Sequence, residues 1–477
     1  MDFTEEQIST IVRRVVENMG QQPVGERTMS SVPQLTENEW GVFEDVNQAI
    51  EAADKAFCEY QNFGIQDRKK FIDAIRKMGL ERQEELSRMV FEETQMGRYE
   101  DKLLKHQVAA NDTPGVEELE TMAWSGKNGL ALEEYAPYGI IGAITPSTHP
   151  SETMINNAIM MLAAGNTVIF CPHPSAKNVS NYTIKRLNEV LKEAGAPNNL
   201  ITCIQNPTIE SANEVFNHEK VKLLSITGGP AVVRAAMKTR KKVIAAGPGN
   251  PPAVIDETAD LENAAERITL SASFDNNILC TAEKEIFVVE SAFSAFMQAM
   301  QKQGNVQLNK MQIDQLAQKA FEKKKYLHIV SRELVGRNAS VLAKTIGLNI
   351  SDEVRLLFGE TPNDHVFVQE EQMMPFIPVI KVKDFKQGVQ WALEAEHGYR
   401  HTASVFTRDM QRATEFAKQA DCSIFVINGG TFQGDGGEQG EGTLSYTIAS
   451  PTGEGITRPH HFARVRRIMN VGSFRFI

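Results

Sequence analysis

The stretch Ser271-Ala272-Ser273-Phe274-Asp275-Asn276-Asn277-Ile278-Leu279-Cys280-Thr281-Ala282-Glu283-Lys284 ends a helical pattern and crosses polar residues that cannot all be core. It delivers one cysteine just ahead of the apolar strand Glu285-Ile286-Phe287-Val288-Val289. A thiol in a loop between helix and strand, where grafted chemistry tends to sit, reads as a catalytic nucleophile. That role requires surroundings that bring its pKa below the usual value of about 8.5, because the thiolate is the attacking species. Cys58, Cys171, Cys203 and Cys422 lie in helix-like or strand-like apolar runs and read as packing.

Four further stretches could serve that thiol. Ser225-Ile226-Thr227-Gly228-Gly229-Pro230 stands where a strand ends and a helix begins, and glycines there let amides at a helix N-terminus approach a phosphate or pyrophosphate. The nearly side-chain-free loop Ala245-Ala246-Gly247-Pro248-Gly249-Asn250-Pro251-Pro252 would let a substrate or cofactor pass close to backbone. Thr145-Pro146-Ser147-Thr148-His149-Pro150 bends the chain after a strand and offers hydrogen-bond donors, and Glu371 stands at a strand entrance before Gln372-Met373-Met374-Pro375. No GxGxxG follows the first strand, so the ordinary Rossmann fingerprint is missing.

The elements that must position these residues alternate in kind. From Gly139 to Ala245, short apolar strands (139–145, 167–171, 200–204, 221–226, 242–245) alternate with helical patterns (152–164, 176–194, 209–217, 231–239). That order implies a parallel sheet covered on both faces. A second α/β unit runs on from Pro252, with strand-like segments near 253–255, 285–289, 354–357, 376–380, 403–406 and 423–426. The fold class is α/β, two doubly wound domains. Residues 38–119 read as helical and charged, and Trp124-Ser125-Gly126-Lys127-Asn128-Gly129-Leu130 reads as a hairpin, an exposed arm of the kind that makes subunit contacts. Residues 2–19 form an amphipathic helical pattern, with Ile8, Ile11, Val12, Val15, Val16 and Met19 on one face, and the Pro/Gly/Ser-bearing stretch 20–37 reads as a linker. A tethered helix with an apolar stripe is expected to dock on a partner.

Bulk composition narrows the class. The 477 residues suffice for two or three domains, and 50 basic against 61 acidic residues, a net charge of −11, argue against a nucleic-acid surface. Five scattered cysteines without CxxC pairs or Cys/His ligand spacing point to a reducing compartment and to neither disulfides nor a metal site. No apolar run approaches the roughly 18–20 residues of a membrane span, and no secretory signal is evident, so a cytoplasmic location is expected.

Together these motifs carry a resemblance over roughly residues 38–477. The order Thr-Pro-x-x-x-Pro, Thr-Gly-Gly, a Gly/Asn/Pro loop, a single Cys and a Glu before a Met-Met-Pro strand resembles the aldehyde dehydrogenase superfamily. Ser273-Phe274-Asp275-Asn276-Asn277 ahead of Cys280, and Ile448-Ala449-Ser450-Pro451-Thr452-Gly453-Glu454-Gly455, resemble most its CoA-acylating branch, the propionaldehyde and acetaldehyde dehydrogenases of bacterial microcompartments.

The resemblance implies domains at 38–120 with 136–249 (NAD-binding), 250–440 (catalytic), and 121–135 with 441–477 (oligomerisation arm and C-terminal segment). It makes Cys280 the nucleophile, with Thr148, His149 or the Cys280 amide as the oxyanion donor. Thr145, Pro146, Thr227, Gly228, Gly229, Ala246 and Gly247 would line the NAD site, and Glu371 would touch the nicotinamide ribose. Hydrolytic relatives activate water with a glutamate at the position of Ala246, so coenzyme A is the expected acyl acceptor. The lysine and glutamate that hold the adenosine ribose in many relatives correspond to Cys171 and Pro174. The expected partners are a short-chain aldehyde, a homodimer or homotetramer, and a microcompartment shell protein bound through residues 2–19; neither nucleic acid nor membrane is expected.

Overall fold

The computed structural model describes residues 40–324, 327–437 and 440–473. The amphipathic helix expected over residues 2–19 and the linker over 20–37 lie outside them.

One parallel sheet has six strands in the order Val42–Phe43, Ile201–Ile204, Thr167–Pro172, Ile140–Thr145, Val221–Thr227, Lys242–Ala246. Its central strands are apolar runs buried on both faces, as helix-covered parallel strands must be. From Ile140–Thr145 the chain steps outward through Thr167–Pro172 and Ile201–Ile204, then returns to lay Val221–Thr227 on the opposite side. Strand order therefore reverses between Ile140–Thr145 and Val221–Thr227, and a ligand of an open α/β sheet binds outside the carboxyl ends at such a switch point.

The second parallel sheet has seven strands, ordered Val306–Gln307, Leu357–Glu360, Phe376–Val382, Glu285–Val289, Pro252–Ile255, Thr402–Phe406, Ile424–Ile427. Its core packs Val254, Phe287, Val379 and Val405 against helix residues such as Ile268, Phe296 and Phe416. The arm is a third, antiparallel sheet: Met122–Gly126 turns through Lys127 and Asn128 into Gly129–Pro137, and Ala463–Val471 runs alongside.

Three sequence expectations need correction. The helical reading of 38–119 misses the edge strand Val42–Phe43, which pairs with Cys203 and Ile204 and is too short to carry a period. The strand expected at Val354–Leu357 begins only at Leu357; before it, the Arg355 guanidinium pairs with Asp101, a meeting across the chain that no local pattern encodes. Cys58 is exposed on the helix Val46–Tyr60 rather than packed, whereas Cys171 and Cys203 are buried.

Candidate active site

The helix Leu261–Ser273, capped by the Asp260 carboxylate, ends at three consecutive left-handed residues, Asp275, Asn276 and Asn277, with φ of 47°, 56° and 64°. Asp and Asn are the side-chain-bearing residues that enter this region most readily, at roughly 1–2 kcal/mol each. Side-chain bonds hold the turn. The Asp275 carboxylate accepts from Lys105 at 2.8 Å and Lys102 at 3.2 Å, and its own N–H donates to Asp101 at 2.8 Å. The Asn276 amide donates to the Gly336 carbonyl at 2.9 Å, and that of Asn277 to Ala272 and Glu283 carbonyls at 2.7 and 2.9 Å. Buried Lys284 then reaches back, donating to the carbonyls of Asn277 at 2.8 Å and Leu279 at 2.9 Å. Five residues after the turn begins, Cys280 is thereby presented in a fixed place.

Cys280 is partly exposed to a cavity that it lines with His149, Leu279, Thr281, Asp435, Leu444 and Tyr446 among others. A second cavity adjoins it across Leu279, Asp435, Leu444 and Tyr446, and is walled further by Leu104, Val108, Phe274 and Phe432. His149 stands immediately before the helix Pro150–Ala163, its ring 5.3 Å from that of Tyr446 and its Nδ1 without a partner. Thr148 is not among the residues lining this cavity; its carbonyl accepts from Lys105 at 3.2 Å.

The surroundings do not lower the thiol's pKa, the condition under which a thiol reads as a ready nucleophile. Burial, then the carboxylates of Glu371 and Asp435, push the Cys280 thiol up to about 12, against the pull of Lys284. Burial lifts Glu371 to about 7, opposed by Lys284 and the Gly249 N–H, and lifts Asp435 to about 7, opposed by the Thr281 hydroxyl. Burial and the charge of Lys105 bring His149 down to about 3, so its ring is neutral. Such a thiol needs a base to remove its proton as it attacks.

Of the residues expected at the cofactor, Thr145, Pro146, Thr227, Gly228, Gly229, Ala246 and Gly247 lie at the carboxyl ends of three adjacent strands, Ile140–Thr145, Val221–Thr227 and Lys242–Ala246, whereas Glu371 lies by the Gly249 N–H and Cys280. The Thr145 hydroxyl is buried without a partner, and Pro146 follows half-buried. Thr227 bonds Thr447 through their hydroxyls at 2.9 Å. Gly228 lies against Val232, while Gly229 faces open space at the start of the helix Pro230–Met237, which no side chain caps. These features fit a dinucleotide phosphate approaching backbone donors. Ala246 is buried, and Gly247 packs against the Pro451 ring. Of the two residues at the positions of the relatives' ribose ligands, Cys171 is buried in its strand and Pro174 opens a short turn.

Several site residues were given no role by the sequence. Lys284 closes the stretch that carries Cys280, Asp435 lies in the glycine-rich tail, and Tyr446 follows that tail. His401 is fully buried, its Nδ1 2.8 Å from the Thr402 hydroxyl and its Nε2 without a partner among the described residues. It packs against Gly249, where a Cβ would lie 2.4 Å from the Cys280 carbonyl oxygen and 3.1 Å from the His401 ring. Lys284 stands between Glu283 and Glu285, so nothing in its local pattern set it apart.

Residues 21–440 match the sequence model of the aldehyde dehydrogenase family. The chain belongs to that family. It is 44% identical over 451 residues to the acetaldehyde dehydrogenase (acetylating) EutE of Salmonella typhimurium, covering 94% of this chain and 96% of that one. Among solved aldehyde dehydrogenases, it is similar to the Rhodopseudomonas palustris propionaldehyde dehydrogenase with bound CoA and an acylated cysteine, at TM-score 0.88 and 43% identity over 90% of this chain and 98% of the other. It is equally similar to a propionaldehyde dehydrogenase from the Clostridium phytofermentans fucose utilisation bacterial microcompartment, at TM-score 0.89 and 42% identity over 91% and 99%.

Proposed function

We propose that this aldehyde dehydrogenase oxidises a short-chain aldehyde, propanal or acetaldehyde, to its acyl-CoA with reduction of NAD, through a thioester on Cys280. The observation that carries this reading over hydrolysis is Ala246. Where hydrolytic relatives place a water-activating glutamate, this chain ends a strand in a buried methyl group.

Cys280 gives up its proton to a neighbouring base as its sulfur adds to the aldehyde carbon. His401, neutral with a free Nε2, and Glu371, poised near 7, are the groups on the Gly249 side of the loop suited to take it. The new oxyanion is met by His149 and by the N–H of Cys280, which already points to its own sulfur. Thr145, Pro146, Thr227, Gly228, Gly229, Ala246 and Gly247 would hold the dinucleotide, with Glu371 at the nicotinamide ribose. NAD, when bound, accepts the hydride that leaves the former carbonyl carbon. The thiol of coenzyme A, a substrate, then adds to the thioester carbon as it loses its proton; the carbon–sulfur bond to Cys280 breaks, and the departing sulfur takes up a proton.

The same reading extends to assembly. Met122, Trp124, Val465, Ile468, Met469 and Val471 leave the arm sheet with apolar side chains exposed, as an edge that pairs subunits into a homodimer or homotetramer would. Residues 2–19 would bind a shell protein and place the enzyme in a microcompartment lumen within the cytoplasm. Among the described residues no helix is long and apolar enough to cross a membrane.

The test is NADH formation from propanal with and without CoA, with the product identified. Propanoyl-CoA formed one for one with NADH supports the proposal; free propanoate formed equally fast without CoA overturns it.

A further inference from the structure

We propose that Asp435 makes the acyl pocket selective for aldehydes bearing a hydroxyl on the chain, a specificity built on the Cys280 reaction proposed above. Asp435 lies in the short turn Thr431–Asp435, on the wall shared by the cavity of Cys280 and the adjoining one. Its Oδ2 accepts from the hydroxyl of Thr281, the residue after Cys280, at 2.8 Å. Its Oδ1 is buried and has no partner among the described residues.

The other polar groups of the adjoining cavity are engaged. The Lys105 ammonium bonds Asp275 and the Thr148 carbonyl, and the Tyr446 hydroxyl donates to the Lys105 carbonyl at 2.9 Å. Around them the wall is Leu104, Val108, Phe274, Leu279, Phe432 and Leu444. A carboxyl oxygen left unpaired in such surroundings costs stability, and leucine would fill the same place without that cost. A substrate hydroxyl beside the acyl carbon supplies the missing partner. A pocket built to hydrogen-bond a hydroxyl discriminates against the analogue lacking it far more strongly than an apolar pocket senses one methylene. Of the side chains lining the two cavities, only His149 has another buried, unpartnered oxygen or nitrogen, and His149 is assigned to the oxyanion.

The experiment compares kcat/KM for propanal, 2-hydroxypropanal and 3-hydroxypropanal, with NAD and CoA saturating, in the full-length enzyme and in Asp435→Leu and Asp435→Asn. The expected result is a preference of at least tenfold for one hydroxyaldehyde in the parent, lost in Asp435→Leu through a fall for that hydroxyaldehyde and a rise for propanal. Asp435→Asn, the closest in shape, retains part of the preference and guards against a folding defect in the leucine variant. A parent enzyme that prefers propanal, or an unchanged ratio in both variants, overturns the assignment. CoA-dependent turnover with no hydroxyl preference sinks only this inference; turnover independent of CoA sinks the proposed function itself.

Discussion

The ammonium of Lys284 donates to the carbonyl of Leu279 at 2.9 Å, gripping the peptide that enters Cys280 from four residues downstream. This one side chain both fixes the loop and supplies the positive charge that opposes the thiol's raised pKa.

Replacing Lys284 with Met leaves the buried carbonyls of Asn277 and Leu279 without their donor and removes that charge. We predict a fall in kcat of about 100-fold, the size expected when a reacting atom is misplaced by about 1 Å. Alkylation of Cys280 by iodoacetamide, followed against pH, should shift to higher pH. An unchanged alkylation profile would mean that the lysine only packs.

Asp435 acts in the opposite sense. Its carboxyl titrates near 7 in the folded chain, above its ordinary value, so the folded state binds that proton more tightly than the unfolded state. Its cost to stability is absent below about pH 4 and grows as pH rises to about 7. Asp435→Asn should therefore raise Tm at pH 8 and leave it nearly unchanged at pH 4, and should speed alkylation of Cys280 at pH 8. Equal Tm changes at both pH values would contradict the linkage.

Gly249→Ala introduces a Cβ that would sit 2.4 Å from the Cys280 carbonyl oxygen, against backbone that cannot swing away. The loop must shift, and kcat should drop by about 100-fold while KM for NAD changes little. Wild-type turnover in this variant would show that the position of Cys280 is not critical.

The ion cluster beneath the loop makes a stability prediction. Burial alone would raise the pKa of Asp275, but Lys102 and Lys105 hold it at about 2. Its ionised form thus contributes about 2 kcal/mol, fully present above the unfolded-chain value near 4 and lost as pH falls through about 2. Asp275→Asn strands the buried Lys102 ammonium and leaves Lys105 with Glu152 and the Thr148 carbonyl, and should cost about 3–5 kcal/mol at pH 7, read from the urea midpoint. The gap to the parent should narrow as both are titrated below pH 4; a constant gap would exclude the charge as its cause.

The sequence showed the parts whose signal is local. Alternating strands and helices reveal both parallel sheets, and the glycines about Lys127 and Asn128 reveal the antiparallel hairpin. What stayed hidden depends on residues far apart in the chain. Asp275 finds Lys102 and Lys105 some 170 positions away, His149 meets Tyr446 from the far end of the chain, and Asp435 reaches Thr281 across 154 residues. No period or spacing encodes such meetings. The setting of the Cys280 thiol was hidden for the same reason, since its burial and the approach of Glu371 and Asp435 arise only in three dimensions.

The central claim is a thioester on Cys280 that water does not remove. Enzyme mixed with propanal and NAD without CoA, quenched and measured by intact-protein mass spectrometry, should gain the mass of one propanoyl group, persist in that form for minutes, and lose it on adding CoA. Cys280→Ala should gain nothing. An adduct that decays to free propanoate as fast as the enzyme turns over, or that forms equally in Cys280→Ala, would contradict the account.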